Sequence, residues 1–189
     1  MHNANIERLI RSGITSLSKS QNAHCSERRP KTEITEANLT HHIGAALINA
    51  DYNLYAQFPI ENSKLMDLVA FCETYDEWIA IEAKSNLHSN QDKILVDFER
   101  LETIKNENWT KNSKVMKVML VMNRYPILTE WWKSRGSSTL DGVQAAESVD
   151  GKEQYKEIQK HLRKYKYVDS FAWYEEEENW VYEVLYAIS

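Results

Sequence analysis

A chain of 189 residues that is 42% hydrophobic, with only 5 Gly and 3 Pro, is long and apolar enough to bury a core, which excludes collagen-like and low-complexity classes. No apolar run approaches the ~20 residues of a membrane helix, and the N-terminal MHNANIERLIRSG lacks the apolar stretch of a secretory signal. The formal charge of −5 weighs against a uniformly basic protein, but much of the excess is one run, Glu175–Glu178, so the distribution of charge matters more than its sum.

Ile6, Leu9 and Ile10 recur at helical spacing and predict a short helix that Gly13 stops. Thr15–Thr32 is polar and aperiodic, contains Arg28-Arg29-Pro30-Lys31, and reads as a loop or basic arm. A helix is expected from about Glu33 to Ala50, with Ile34, Leu39, Ile43, Leu47 and Ala50 as its apolar stripe. Strands follow at Leu54–Ile60, Leu65–Cys72 and Trp78–Lys84, the last two joined by the short polar turn Glu73–Asp76 as a hairpin. A helix from Gln91 to about Lys105 buries Ile94, Leu95, Phe98, Leu101 and Ile104. Val115–Met122 is a further buried strand, and Pro126 opens a short helix holding Trp131 and Trp132. Ser134–Gly151 reads as loop, Lys152–Tyr165 as helix, and Tyr167–Tyr174 with Trp180–Ile188 as a closing hairpin around the acidic run.

The fold class is therefore α/β: an α-β-β-β-α-β core, a mixed sheet flanked by helices, and a C-terminal α-β-β extension. The chain reads as a single domain over 1–189, with an N-terminal helix and polar arm to 32, a core over 33–122 and an extension over 123–189. The two cysteines, Cys25 and Cys72, are too few for a disulfide framework and lack metal-pair spacing, so a reducing, cytoplasmic-type compartment is expected.

Asp67, Glu82 and Lys84 each interrupt an otherwise apolar strand, where a charge is costly unless it is paired or binds a metal. If the hairpin turns between Thr74 and Tyr75, Asp67 lies directly opposite Glu82, their Cβ atoms about 5 Å apart. Two carboxylates that close repel unless one is protonated or a cation sits between them, and a hard divalent ion suits oxygen ligands. Lys84 shares the strand face of Glu82, where an ammonium can position or help deprotonate a water and offset charge on a phosphate. The side chain of Ala83 points the other way, but its carbonyl can add a metal oxygen. Glu36 sits on the helix face that also carries Leu39, Ile43 and Leu47 and is the candidate third acid, with Glu33 and Glu61 as alternatives. Gln91, opening its helix, can orient water or substrate. Without a metal, Asp67 and Lys84 instead form a structural ion pair at a strand end. His41-His42 points two ways around a helix and makes a poor metal pair, although His42 lies near the buried face.

These residues resemble the PD-(D/E)XK nuclease superfamily, the restriction-endonuclease-like fold: Met66-Asp67 on the second strand, Glu82-Ala83-Lys84 on the third, and Asp97-Phe98-Glu99-Arg100-Leu101 on the next helix. The resemblance spans roughly residues 33–122, and Met66 stands where the motif has proline. It implies a Mg²⁺-dependent phosphodiesterase, with Mn²⁺ as a substitute, in which Asp67 and Glu82 hold metal and Lys84 assists the water. It implies a nucleic-acid substrate, DNA ahead of RNA, no membrane, and allows a homodimer. Lys152, Lys156, Lys160 and Lys164 at i+4 spacing, with Arg163, offer a phosphate-binding face; a solvated helix face is the alternative. Lys105, Lys111, Lys114 and Lys117 form a second basic group. Trp131, Trp132, Trp173 and Trp180 read as core or subunit interface. The non-enzymatic alternative is an inactive member of the fold that binds nucleic acid or protein.

Overall fold

The computed structural model describes residues 2–25, 35–59, 65–104, 113–175 and 180–189. In chain order these form α1 (His2–Cys25), α2 (Glu36–Ile48), β1 (Asn53–Pro59), β2 (Leu65–Cys72), β3 (Glu77–Lys84), α3 (Gln91–Thr103), β4 (Lys114–Asn123), α4 (Pro126–Lys133), α5 (Gln144–Glu147), α6 (Val149–Leu162), β5 (Tyr167–Glu175) and β6 (Trp180–Ile188). The strands make one six-stranded mixed sheet in the order β1-β2-β3-β4-β6-β5. Only β3 and β4 run parallel; the other neighbours are antiparallel. The closing hairpin β5–β6 thus joins the main sheet, β6 against β4, which the chain order alone did not say.

Both faces of the sheet are covered. On one, Ile6, Ile10, Ile14 and Leu17 of α1 and Leu39, Ile43 and Leu47 of α2 pack on Ile79, Ile81, Ala83 and Val118. On the other, Ile94, Phe98 and Leu101 of α3, Trp132 of α4 and Ile158 of α6 pack on Val69, Ala80 and Val121. Trp131 and Trp132 are buried, as the core reading expected. The free Cys72 is buried as well.

Two predicted boundaries are corrected. Gly13 does not stop a helix: α1 runs through it to Cys25, so Thr15–Cys25 is helical rather than a loop. The apolar stripe simply continues into Ile14 and Leu17. Gly13 is where α1 crosses α2, since a Cβ there would meet Ile43 Cα at 2.8 Å and the His42 carbonyl oxygen at 2.9 Å. The loop over Ser134–Gly151 is also shorter than expected. It contains α5, and α6 begins at Val149, with the Ser148 side chain accepting from the Gly151 amide. Gly and Ser suggested a loop, but the capped first turn lets Gly151 sit buried inside the helix. Of the earlier expectations, the basic arm Arg28–Lys31, Glu33, Ile34, Glu61, Lys105, Lys111, and the side chains of Cys25, Trp173, Trp180 and the run Glu175–Glu178 lie outside the described residues. No helix among the described residues is long and apolar enough to cross a membrane.

Candidate active site

The β2–β3 register is the one that sets Asp67 against Glu82. Leu68 pairs with Ile81, Val69 with Ala80 and Cys72 with Glu77, and the next step of that ladder opposes the two acids. The connection is a single 3₁₀ turn, Glu73–Tyr75, closed by Asp76 in the left-handed region at φ 45°. Asp67 Oδ2 accepts the Ala83 amide at 2.9 Å, tying β2 to the end of β3. Glu82 is 0% exposed, the most deeply buried carboxyl of the group.

Lys84 ends β3, where helices from both faces of the sheet reach it. Its ammonium lies 2.7 Å from Asp97 Oδ2 on α3 and 3.6 Å from Glu36 Oε2 on α2. It also donates to the Ala83 carbonyl at 3.0 Å. Glu36 is placed by its own helix end. Thr35 caps α2 in a reciprocal pair with Asn38, which sets Glu36 in the first turn, where an acid is favoured by the helix dipole. From there Glu36 Oε1 accepts the Ser85 amide at 3.1 Å. Asp67, Glu82, Lys84, Ala83 and Glu36 therefore do come together.

One expected member, Gln91, sits elsewhere, and the histidine pair stays outside the group. Gln91 turns its amide to the His88 carbonyl and lies 3.3 Å from the Tyr155 hydroxyl, so it braces α3 against α6. His42 faces α1, with Nδ1 3.0 Å from Ser16 Oγ, and does not join the acids. Burial and the neighbouring His41 lower its pKa.

Two residues enter that the strand pattern missed as site members. Asp97 is buried on α3, and Arg100 one turn later donates from Nη1 to Glu82 Oε1 at 2.7 Å and lies 3.3 Å from Asp97 Oδ1. The signal was present: Asp97 lies on the stripe of Ile94 and Leu101, where a charged residue is out of place. The partner it implied was not legible, because it belongs to another element.

The electrostatics follow from burial. Burial, then the charges of Asp97 and Asp67 and a side-chain hydrogen bond to Asp67, push the Glu82 carboxyl up to about 9, against the opposing pull of Arg100. That favours the protonated form of Glu82 at neutral pH. Glu82 Oε2 is buried and meets no hydrogen-bond donor. Burial alone would lower Lys84, but the hydrogen bond and charge of Asp97, with Glu36 and Asp67, hold its ammonium above the ordinary value. Lys84 therefore stays charged; it can orient a water and offset negative charge, but not remove a proton. Burial raises Asp97, with Lys84 and Arg100 opposing.

Among the described residues, no three His, Cys, Asp or Glu side chains converge as a metal-holding group. Asp67 and Glu82 offer two carboxyl groups, and Ala83 a carbonyl that accepts from Lys84 and keeps a second lone pair.

The basic face is only partly as expected. Lys152, Lys156 and Lys160 are exposed on α6, but α6 ends at Leu162, so Arg163 and Lys164 lie in the turn beyond it. Lys156 pairs with Glu153 at 2.6 Å, Lys160 with Glu157 at 2.5 Å and Lys164 with Glu102 at 2.8 Å. The helix packs beside α3, on the sheet face of Glu82 and Lys84. Of the second basic group, Lys114 pairs with the buried Glu77 at 3.1 Å, and Lys117 Nζ reaches the Glu102 carbonyl oxygen at 3.3 Å.

No family model, curated protein or solved structure matches this chain.

Proposed function

We propose that this chain is a Mg²⁺-dependent nuclease of the PD-(D/E)XK kind, with a restriction-endonuclease-like core, acting on DNA ahead of RNA in a reducing, cytoplasmic-type compartment. One observation carries the reading: Asp67 and Glu82 meet across β2–β3, Glu82 keeps a buried oxygen without a donor, and Lys84 follows on the same strand face. The residues fit a divalent ion by charge and by donor chemistry. Four carboxyls, Asp67, Glu82, Asp97 and Glu36, stand against two cations, Lys84 and Arg100. Fully ionised, the group is two charges negative, and all its available donors are oxygens. The raised pKa of Glu82, which favours its neutral form, offsets part of that surplus.

Asp67 and Glu82, with the Ala83 carbonyl, would hold the ion, whose chemistry is to make a bound water more acidic and to offset charge growing on phosphate. Lys84, kept cationic by Asp97 and Glu36, donates to the attacking water or to a phosphate oxygen. Asp67 braces the end of β3 through the Ala83 amide, so the two acids keep their spacing. Lys152, Lys156, Lys160, Arg163 and Lys164 lie on the same face and would steer the phosphate backbone, exchanging their carboxylate partners for phosphates.

The test is cleavage of supercoiled plasmid, single-stranded DNA and RNA with Mg²⁺, Mn²⁺ or EDTA. Metal-dependent cutting by wild type, lost in Asp67→Ala and Lys84→Ala, is the expected result. A folded wild type that cuts none of them refutes the reading.

A second reading has its own support. The ion pairs Lys84–Asp97 and Arg100–Glu82 already compensate much of the buried charge. That suits an inactive member of the fold, in which the same residues are a structural network and the chain binds nucleic acid or protein.

A further inference from the structure

Arg100 makes an unusual ion pair for a half-buried guanidinium. A structural arginine normally uses its fork, two nitrogens on one carboxylate. Here the single nitrogen Nη1 serves Glu82 Oε1 at 2.7 Å, the Leu65 carbonyl at 3.2 Å and Asp97 Oδ1 at 3.3 Å. Its Nε is buried and makes no hydrogen bond. Glu82 is just as incompletely served: Oε1 has Arg100, while Oε2 has no donor. Arg100 Nε and Glu82 Oε2 are thus two buried polar atoms that make no hydrogen bond, which is costly. The contact sets a full positive charge on one carboxyl oxygen without the fork geometry of a structural pair.

We propose that Arg100 is a tethered counter-ion that competes with a divalent cation for Glu82 and thereby sets the affinity of the site. The inference rests on the metal reading above. Arg100 is carried on α3, not on the strands that bear Asp67 and Glu82, so its side chain can withdraw without moving either acid. Its side chain retains 19% exposure, so a path toward solvent exists. While no ion is bound, its charge stabilises the packing of α3 on β3. When an ion binds, a positive charge 2.7 Å from a ligand oxygen opposes it.

Arg100→Gln keeps a hydrogen-bond donor and removes the charge; Arg100→Lys keeps the charge on a different stem. Each is titrated with Mn²⁺ by calorimetry and melted in EDTA and in Mn²⁺ beside wild type. R100Q is expected to bind Mn²⁺ about tenfold more tightly than wild type, to melt lower in EDTA, and to recover on adding Mn²⁺. R100K should bind within about threefold of wild type. Wild-type binding that R100Q leaves unchanged or weakens overturns the inference alone, and makes Arg100 a brace for Glu82. An R100Q that does not fold even with Mn²⁺ also overturns it, since the ion should replace the lost charge. If folded wild type and R100Q both bind no Mn²⁺, the metal reading falls together with this one.

Discussion

At the scale of single residues, charge burial decides what each group can do. Asp97 is 2% exposed and faces two cations, Lys84 and Arg100. Removing it leaves both facing an apolar layer with one fewer anion. Asp97→Ala should cost about 3 kcal/mol in a urea melt, the size expected for breaking a buried pair. An unchanged midpoint and slope would show that Asp97 is not the anchor of this cluster. Gln57 provides the opposite case. It is exposed, lies across β1–β2 from Asp67 between the pairs Ala56–Leu68 and Phe58–Met66, and has φ 49°. That backbone region is unfavourable for any residue with a Cβ and easy for glycine. Gln57→Gly should therefore raise stability by about 1 kcal/mol, whereas Gln57→Ala should not. The two are compared by their unfolding midpoints.

At the scale of elements, the contacts between helices carry the specific geometry. The crossing of α1 over α2 depends on the missing side chain of Gly13, because backbone atoms of α2 occupy its place. Backbone cannot yield as a flexible side chain can. Gly13→Ala should force the helices apart and cost about 1–3 kcal/mol, although alanine is the better helix former. A stabilised G13A would mean that α1 does not rest on α2 at that point. The same argument links this packing to the site: α2 presents Glu36 to Ser85 and Lys84 from its first turn, so a displaced α2 withdraws one of the two acids on the ammonium.

At the scale of the whole molecule, Glu82 makes folding stability depend on pH. Its carboxyl lies near 9 in the fold against an ordinary 4.5, so the folded state holds that proton more tightly than the unfolded chain does. This contribution is complete below pH 4.5 and is lost as pH rises toward 9. In EDTA the wild type should therefore melt progressively lower between pH 6 and 9, and Glu82→Gln, which stays neutral, should flatten that decline. Equal slopes for the two proteins would mean that Glu82 is ionised in the fold throughout. Saturating Mn²⁺ should also flatten the wild-type curve if the ion replaces the proton. In that case the site and the stability of the fold are linked through one carboxyl.

Much of the local order was legible in the residue pattern. Apolar runs located the central strands, which are buried on both faces, and helical spacing located most of the helices, which bury one. The turn between Glu73 and Asp76 was enough to set the register that opposes Asp67 and Glu82, since a hairpin's register follows from its turn. Glu36 was legible from the helix stripe for the same reason. Contacts between distant elements were not legible there. Gly13 looks like a helix stop until α2 lies against it. Gln91 looks free to meet the acids until Tyr155, 64 positions away in sequence, takes its place beside it. Arg100 and Asp97 join Glu82 and Lys84 only because α3 packs on β3, and the i+4 row of lysines is interrupted by carboxylates and a helix end. Periodicity reports which face of an element is buried. It carries no record of which partner covers that face, and charge pairing is a property of the partner.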